Sequence, residues 1–232
     1  MKKFLCFMMM SLPLLWCGAQ DADYAPLAED GKVWHMEWFV DPELENLNYE
    51  FDYFIDGDTV IAGQTCKKVY TRNQYNMGDV AYSCALLEEG RKVSLIEEGQ
   101  ETARLIFDFN VTAGNSYSDS YGYNFSVREV RLVNMHGIYR HAYCIVHEFG
   151  PDYPTWWIEG IGSTKGPTDA NIEQLVGDMR DFKSCEVNGQ VVCDQSDLAK
   201  LYEPQPIVNC DVNGDGVVDI DDVNIVINAI LN

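Results

Sequence analysis

Trp34-His35-Met36-Glu37-Trp38-Phe39-Val40 and, a few residues on, Tyr49-Glu50-Phe51-Asp52-Tyr53-Phe54-Ile55 are the stretches whose reading decides the fold. In the first, Trp34, Met36, Trp38 and Val40 recur at every second position with His35 and Glu37 between them. In the second, Tyr49, Phe51, Tyr53 and Ile55 alternate with Glu50 and Asp52. A period of two belongs to the β-strand, whose successive side chains point to opposite faces, so each stretch reads as a strand with one dry face. Working outward, further strands are expected at 65–72, 81–88, 92–97, 102–110, 123–133 and 138–149. Turn signals at Asp56-Gly57, Glu89-Gly90, Gly99-Gln100 and His136-Gly137 separate them. No amphipathic helix is legible before residue 200. The pattern predicts an all-β, antiparallel meander over 20–201, built as a sandwich or as an up-and-down barrel.

Lys2 and Lys3 precede an apolar run from Phe4 to Trp16, and Gly18 and Ala19 lead into polar Gln20. A basic start, a short apolar centre and small residues before the cut mark a secretory signal peptide, expected to occupy 1–19 and to be removed. The run falls short of the roughly 20 apolar residues that a membrane-spanning helix needs. A lipid anchor on Cys17 is the alternative, but Trp16 stands where that signal wants a small side chain. The expected location is secreted or cell-surface, with the periplasm left open. A formal net charge of -21 excludes nucleic acid as a natural partner.

Six cysteines lie beyond the signal: Cys66, Cys84, Cys144, Cys185, Cys193 and Cys210. An even number in an exported chain predicts disulfides. Cys66 and Cys84 are symmetric about Tyr75, inside a polar turn, and Cys185 and Cys193 are symmetric about Gly189, inside the strong hairpin signal Asn188-Gly189. Cys144 and Cys210 remain by elimination.

Chemistry is harder to find in the main domain. His141 and His147 share a strand face but stand about 20 Å apart in extended chain, too far to ligate one metal, and Cys144 points the other way. Glu159, beside Trp157, is the carboxylate to examine as a glycosidase acid, against the plainer reading of a solvent-facing strand residue. Trp156 and Trp157 are adjacent, so one of them is expected to face outward, where it could stack a sugar ring. No catalytic residue is assigned. Trp157-Ile158-Glu159-Gly160-Ile161-Gly162-Ser163, with Tyr24-Ala25-Pro26-Leu27 and Cys185-Glu186-Val187-Asn188-Gly189, resembles an exported β-domain common in gut Bacteroidetes. That resemblance implies location and lineage, and no activity.

The tail is different in kind. After a Pro-containing linker, 202–210, comes Asp211-Val212-Asn213-Gly214-Asp215-Gly216-Val217-Val218-Asp219-Ile220-Asp221-Asp222. Oxygen-bearing side chains stand at loop positions 1, 3, 5, 9 and 12, and glycine stands at 6, which is the spacing that wraps a chain once around calcium. Asp211, Asn213 and Asp215 would give side-chain oxygens, Val217 its carbonyl, Asp219 a water-mediated contact and Asp222 a bidentate carboxylate. Val223, Val226, Ile227 and Ile230 then recur at helical spacing. The tail, 211–232, resembles one repeat of a type I dockerin, D-x-N-x-D-G-x-x-D-x-x-D followed by an apolar helix. Dockerins carry two such repeats and dock, calcium-loaded, onto cohesin modules of surface assemblies that often degrade polysaccharide.

The expected function is therefore an exported, non-catalytic protein whose dockerin-like tail binds calcium and mediates protein association. The alternative is a secreted glycan-binding protein or glycoside hydrolase delivered to such an assembly by the tail. The lack of a recognisable acid pair favours the first. Expected partners are a cohesin-like or other surface protein, or a second copy of the chain, with a glycan as a further candidate. Neither nucleic acid nor a membrane span is expected.

Overall fold

The two alternating stretches are paired strands, β1 (Lys32–Phe39) and β2 (Asn48–Ile61), in which Trp34 lies across from Tyr53, Met36 from Phe51 and Trp38 from Tyr49. A computed structural model describes residues 24–39, 48–73, 79–118, 124–148, 150–170, 179–203, 212 and 220–231. Beyond β2 the meander continues through β3 (Gln64–Asn73), β4 (Val80–Glu89), β5 (Lys92–Glu97) and β6 (Arg104–Asp108), each beside its predecessor. The chain then lays down a second sheet, β7 (Ser116–Ser118), β8 (Asn124–Met135), β9 (Ile138–His147), β10 (Gly150–Ile158) and β11 (Gly162–Ser163). A last hairpin, β12 (Met179–Val187) and β13 (Gln190–Asp194), returns to the first sheet and joins the free edge of β1, giving the order β13-β12-β1-β2-β3-β4-β5-β6. Every pairing is antiparallel. Two separate sheets share one core of Trp34, Phe107, Trp157 and Phe182, so of the two closures left open by the sequence the sandwich is the one adopted.

Two expectations fail locally. Asp56-Gly57, read as a turn, is a β-bulge: the register slips between Ile55 and Asp58, Gly57 has φ +73, and β2 runs on to Ile61. The chain reverses instead at Ala62 (φ 48) and Gly63 (φ 83), both left-handed as a type I′ turn requires. Asp-Gly supplies a left-handed residue, which a bulge uses as readily as a turn does. The second failure is the helix α1 (Gln195–Tyr202), which begins before residue 200. Its start is a reciprocal cap. Asp194 Oδ1 accepts the N–H groups of Ser196 (2.8 Å) and Asp197 (3.2 Å), and Asp197 Oδ2 accepts the N–H of Asp194 (3.2 Å).

The disulfide expectation is also corrected. Cys66, Cys84, Cys144, Cys185 and Cys193 are buried free thiols, and Cys210 lies outside the described residues. Cys84 stands across from Val69, not Cys66, and the two cysteines sit in different apolar clusters on opposite faces of the sheet. A shifted register and a single-residue bulge are enough to defeat the symmetry argument. Cys185 does lie directly across from Cys193, as Asn188-Gly189 predicts, but each thiol turns toward a neighbouring carbonyl, Glu186 O and Asp194 O.

Burial pushes the Cys185 thiol up to about 12 and the Cys84 thiol to about 11. The unfolded chain ionises its thiols near pH 8.5 while the native state keeps its protons, so the thiols' contribution to stability is flat below that pH and falls as the pH rises toward 12. The urea midpoint is expected to fall above pH 9, and the native thiols to resist iodoacetamide at pH 8. Rapid alkylation of the native protein would contradict this burial.

The chain divides into two units, Met1–Leu201 and Tyr202–Asn232. The second contains the helix α2 (Ile220–Leu231). Among the described residues no helix is long and apolar enough to cross a membrane.

Candidate functional site

Of the expected calcium ligands, Asp211, Asn213, Asp215, Val217 and Asp219 lie outside the described residues; Asp222 falls in the first turn of α2, where only its backbone is described. The helix that the spacing requires is present. It is twelve residues long, lacks a basic residue in its last turn, and exposes Ile220 (66%), Val223 (48%), Ile225 (42%) and Ile227 (46%). Ile220, Val223 and Ile227 follow one another at i, i+3 and i+7 and form a stripe; Ile225 lies off it. Four β-branched apolar side chains open to water on one short helix are an unsatisfied surface.

In the main domain, Glu159 is not solvent-facing: it is 1% exposed. It follows β10 at the head of the turn Gly160-Ile161-Gly162. Its carboxylate is paired with the Arg91 guanidinium, lies 3.2 Å from His141 Nδ1 and 2.9 Å from the Tyr143 hydroxyl, while Arg140 Nη1 donates to its main-chain oxygen at 3.0 Å. Burial, reinforced by the adjacent Glu159, raises the Tyr143 phenol well above its ordinary value, so it remains a donor. Beside it, Glu88 accepts the Tyr24 hydroxyl and the N–H groups of Leu27 (3.0 Å) and Ala28 (2.7 Å). The Arg91 guanidinium lies 5.1 Å from the Tyr24 ring and so touches both carboxylate environments.

The turn after Glu159 explains the Trp-Ile-Glu-Gly-Ile-Gly-Ser motif. A Cβ on Gly160 would meet Arg140 Nη1 at 2.6 Å and Ala25 Cβ at 2.9 Å; one on Gly162 would meet Gly166 O and Pro167 Cα at 2.9 Å, and both residues are left-handed. The bare backbone is then gripped from β1. Buried Lys32 donates to Pro26 O (2.6 Å) and Gly160 O (2.9 Å), and Trp34 Nε1 donates to Ile161 O (2.7 Å). The cluster is a clasp that fixes the 24–28 segment and the β10 turn to the sandwich. A glycosidase acid must present a proton to a substrate, whereas both oxygens of Glu159 accept from, or pair with, donors of the protein itself.

Neither tryptophan of the adjacent pair is outward-facing. Trp157 packs edge-on against Phe107 and donates Nε1 to Ala170 O, and Trp156 lies under the Arg131 guanidinium at 4.9 Å; each is 2% exposed. Alternation places them on opposite faces of β10, and both faces are covered, which ends their candidacy as a sugar platform.

His136, Asp194 and Asp197 could together bring three ligand atoms within 4.8 Å of one another. Their oxygens already cap α1, and Lys200 Nζ sits 2.6 Å from Asp197 Oδ1, where it would repel a cation. Hydrogen bonding to Ser196, with His136 alongside, holds the Asp194 carboxyl down at about 2. The trio ties the β8–β9 turn to the start of α1. The Asp194-x-x-Asp197 spacing is the signal in the sequence that could have announced it.

Comparison of the chain with protein families, with curated proteins and with solved structures finds no match.

Proposed function

We propose that this chain is an exported, non-catalytic protein whose C-terminal loop and helix bind calcium and, once folded around it, dock onto a partner protein. The observation that carries the reading is α2 itself, an apolar helix exposed at Ile220, Val223 and Ile227 directly after a loop with calcium-ligand spacing. Calcium binding free energy is also folding free energy for such a loop, so the ion would act as the switch that presents the helix. The stripe suits a complementary apolar surface, either a cohesin-like module or a second α2. The hydrolase alternative draws no support from Glu159, whose carboxylate is held inside the clasp.

Sedimentation velocity on the whole protein, alone and with a type I cohesin module, tests this in calcium and in chelator. A larger species in calcium that disperses in chelator is expected, and Val223→Ser with Ile227→Ser should abolish it without changing the fold of the sandwich. An unchanged monomer under every condition would overturn the proposal.

A further inference from the structure

We infer that the sandwich carries a binding site for a short neutral oligosaccharide, at the end of the first sheet where Trp38 and Tyr49 emerge from the core. This inference is independent of the tail. Along β1 the inner-face stripe runs Trp34 (0% exposed), Met36 (1%) and Trp38 (44%); along β2 it runs from Tyr53 (7%) to Tyr49 (41%). One continuous apolar stripe is thus covered at one end and open at the other. Trp38 and Tyr49 are direct cross-strand partners, which places their Cβ atoms about 5 Å apart on the same face of the sheet.

The platform forms part of a groove of about 600 Å³, within the range of small-molecule sites. Its borders are polar. Arg180 is the cross-strand neighbour of Trp38 on the other side of β1, and its Nη1 lies 3.3 Å from the Tyr53 hydroxyl and 3.3 Å from Asp169 Oδ2. Asn73, across from Phe51, and Asp79 border the side of β3 and β4.

This combination selects among ligands. An alkyl chain or apolar peptide face would cover the rings but strip water from Arg180 and Asp79 without replacing its hydrogen bonds, which is costly. A polyanion meets a protein of net charge -21 and a groove whose two guanidiniums, Arg180 and Arg72, are already paired with Asp169 and Asp52. A sugar ring has an apolar C–H face for the aromatic rings and a rim of hydroxyls that both donate and accept, matching amide, carboxylate and guanidinium groups together.

Titration calorimetry of the whole protein with cellohexaose, xylohexaose, mannohexaose, maltohexaose and chitohexaose, beside decanoate and a polygalacturonate oligomer, tests the site. At least one neutral oligosaccharide is expected to bind, with Trp38→Ala weakening it about tenfold or more and Trp38→Phe retaining part of the affinity. Leu132→Ala, at an exposed side chain of the other sheet, should leave binding unchanged. Thermal melts of each variant should match the parent, since the Trp38 side chain is 44% exposed. Silence from all five neutral probes, binding of decanoate or the polyanion alone, or sugar binding that survives Trp38→Ala in a folded protein would each overturn the inference.

Discussion

Glu159→Ala is expected to lower the unfolding free energy by about 3–5 kcal/mol, read as a fall in the urea midpoint at unchanged m-value. The cost has a specific origin. The glutamate is 1% exposed and sits among Arg91, His141 and Tyr143, so its removal takes the carboxylate from a partly buried guanidinium, while the buried Tyr143 hydroxyl keeps Phe109 O, 2.8 Å away, as an acceptor. Arg91 is 26% exposed and His141 39%, so water repays part of the loss on their side and the lower half of the range is favoured. Glu159→Gln should cost less, because the amide still accepts from Tyr143. A paired replacement, Glu159→Leu with Arg91→Met, should recover much of the loss, since it removes both charges rather than one. A fall below about 1 kcal/mol for Glu159→Ala would mean that the clasp is not a stabilising element.

That clasp also shows where sequence reasoning stops. The strands were legible because a period of two is local, and β5 was placed to the residue at Lys92–Glu97. The environment of Glu159 was not, because its partners Arg91 and His141 stand 68 and 18 residues away and nothing in Trp-Ile-Glu-Gly names them. Trp156 and Trp157 teach the same point: alternation correctly sends them to opposite faces, but only tertiary packing shows that both faces are dry. The aromatic platform at Trp38 is the converse case. Its residue belongs to the stripe that decides the fold, and the stripe does not reveal that cover ends after Met36. For the cysteines, the Asn188-Gly189 turn fixes the partner of Cys185, whereas the longer connection 74–79 between β3 and β4 leaves the register undetermined, and Val69 takes the place expected of Cys66. The Asp194-x-x-Asp197 cap was readable and would have announced α1.

The proposed calcium loop, by contrast, is legible as side-chain types at fixed spacing, which is why the proposed function rests on the tail. Asp211, Asp215, Asp219, Asp221 and Asp222 place five carboxylates within twelve positions. Without a cation they repel one another, at about 1 kcal/mol per close pair even in water. On the proposed reading, calcium at the centre would convert that repulsion into ligation and order the helix behind it, so helical signal at 222 nm should rise on addition of the ion and fall in chelator. The most direct test is calcium titration calorimetry on the whole protein beside an Asp211→Ala, Asp222→Ala variant. One calcium bound by the parent and no heat from the variant, with the melting of the sandwich unchanged, is the predicted result; equal calcium heats in the two proteins would contradict the account.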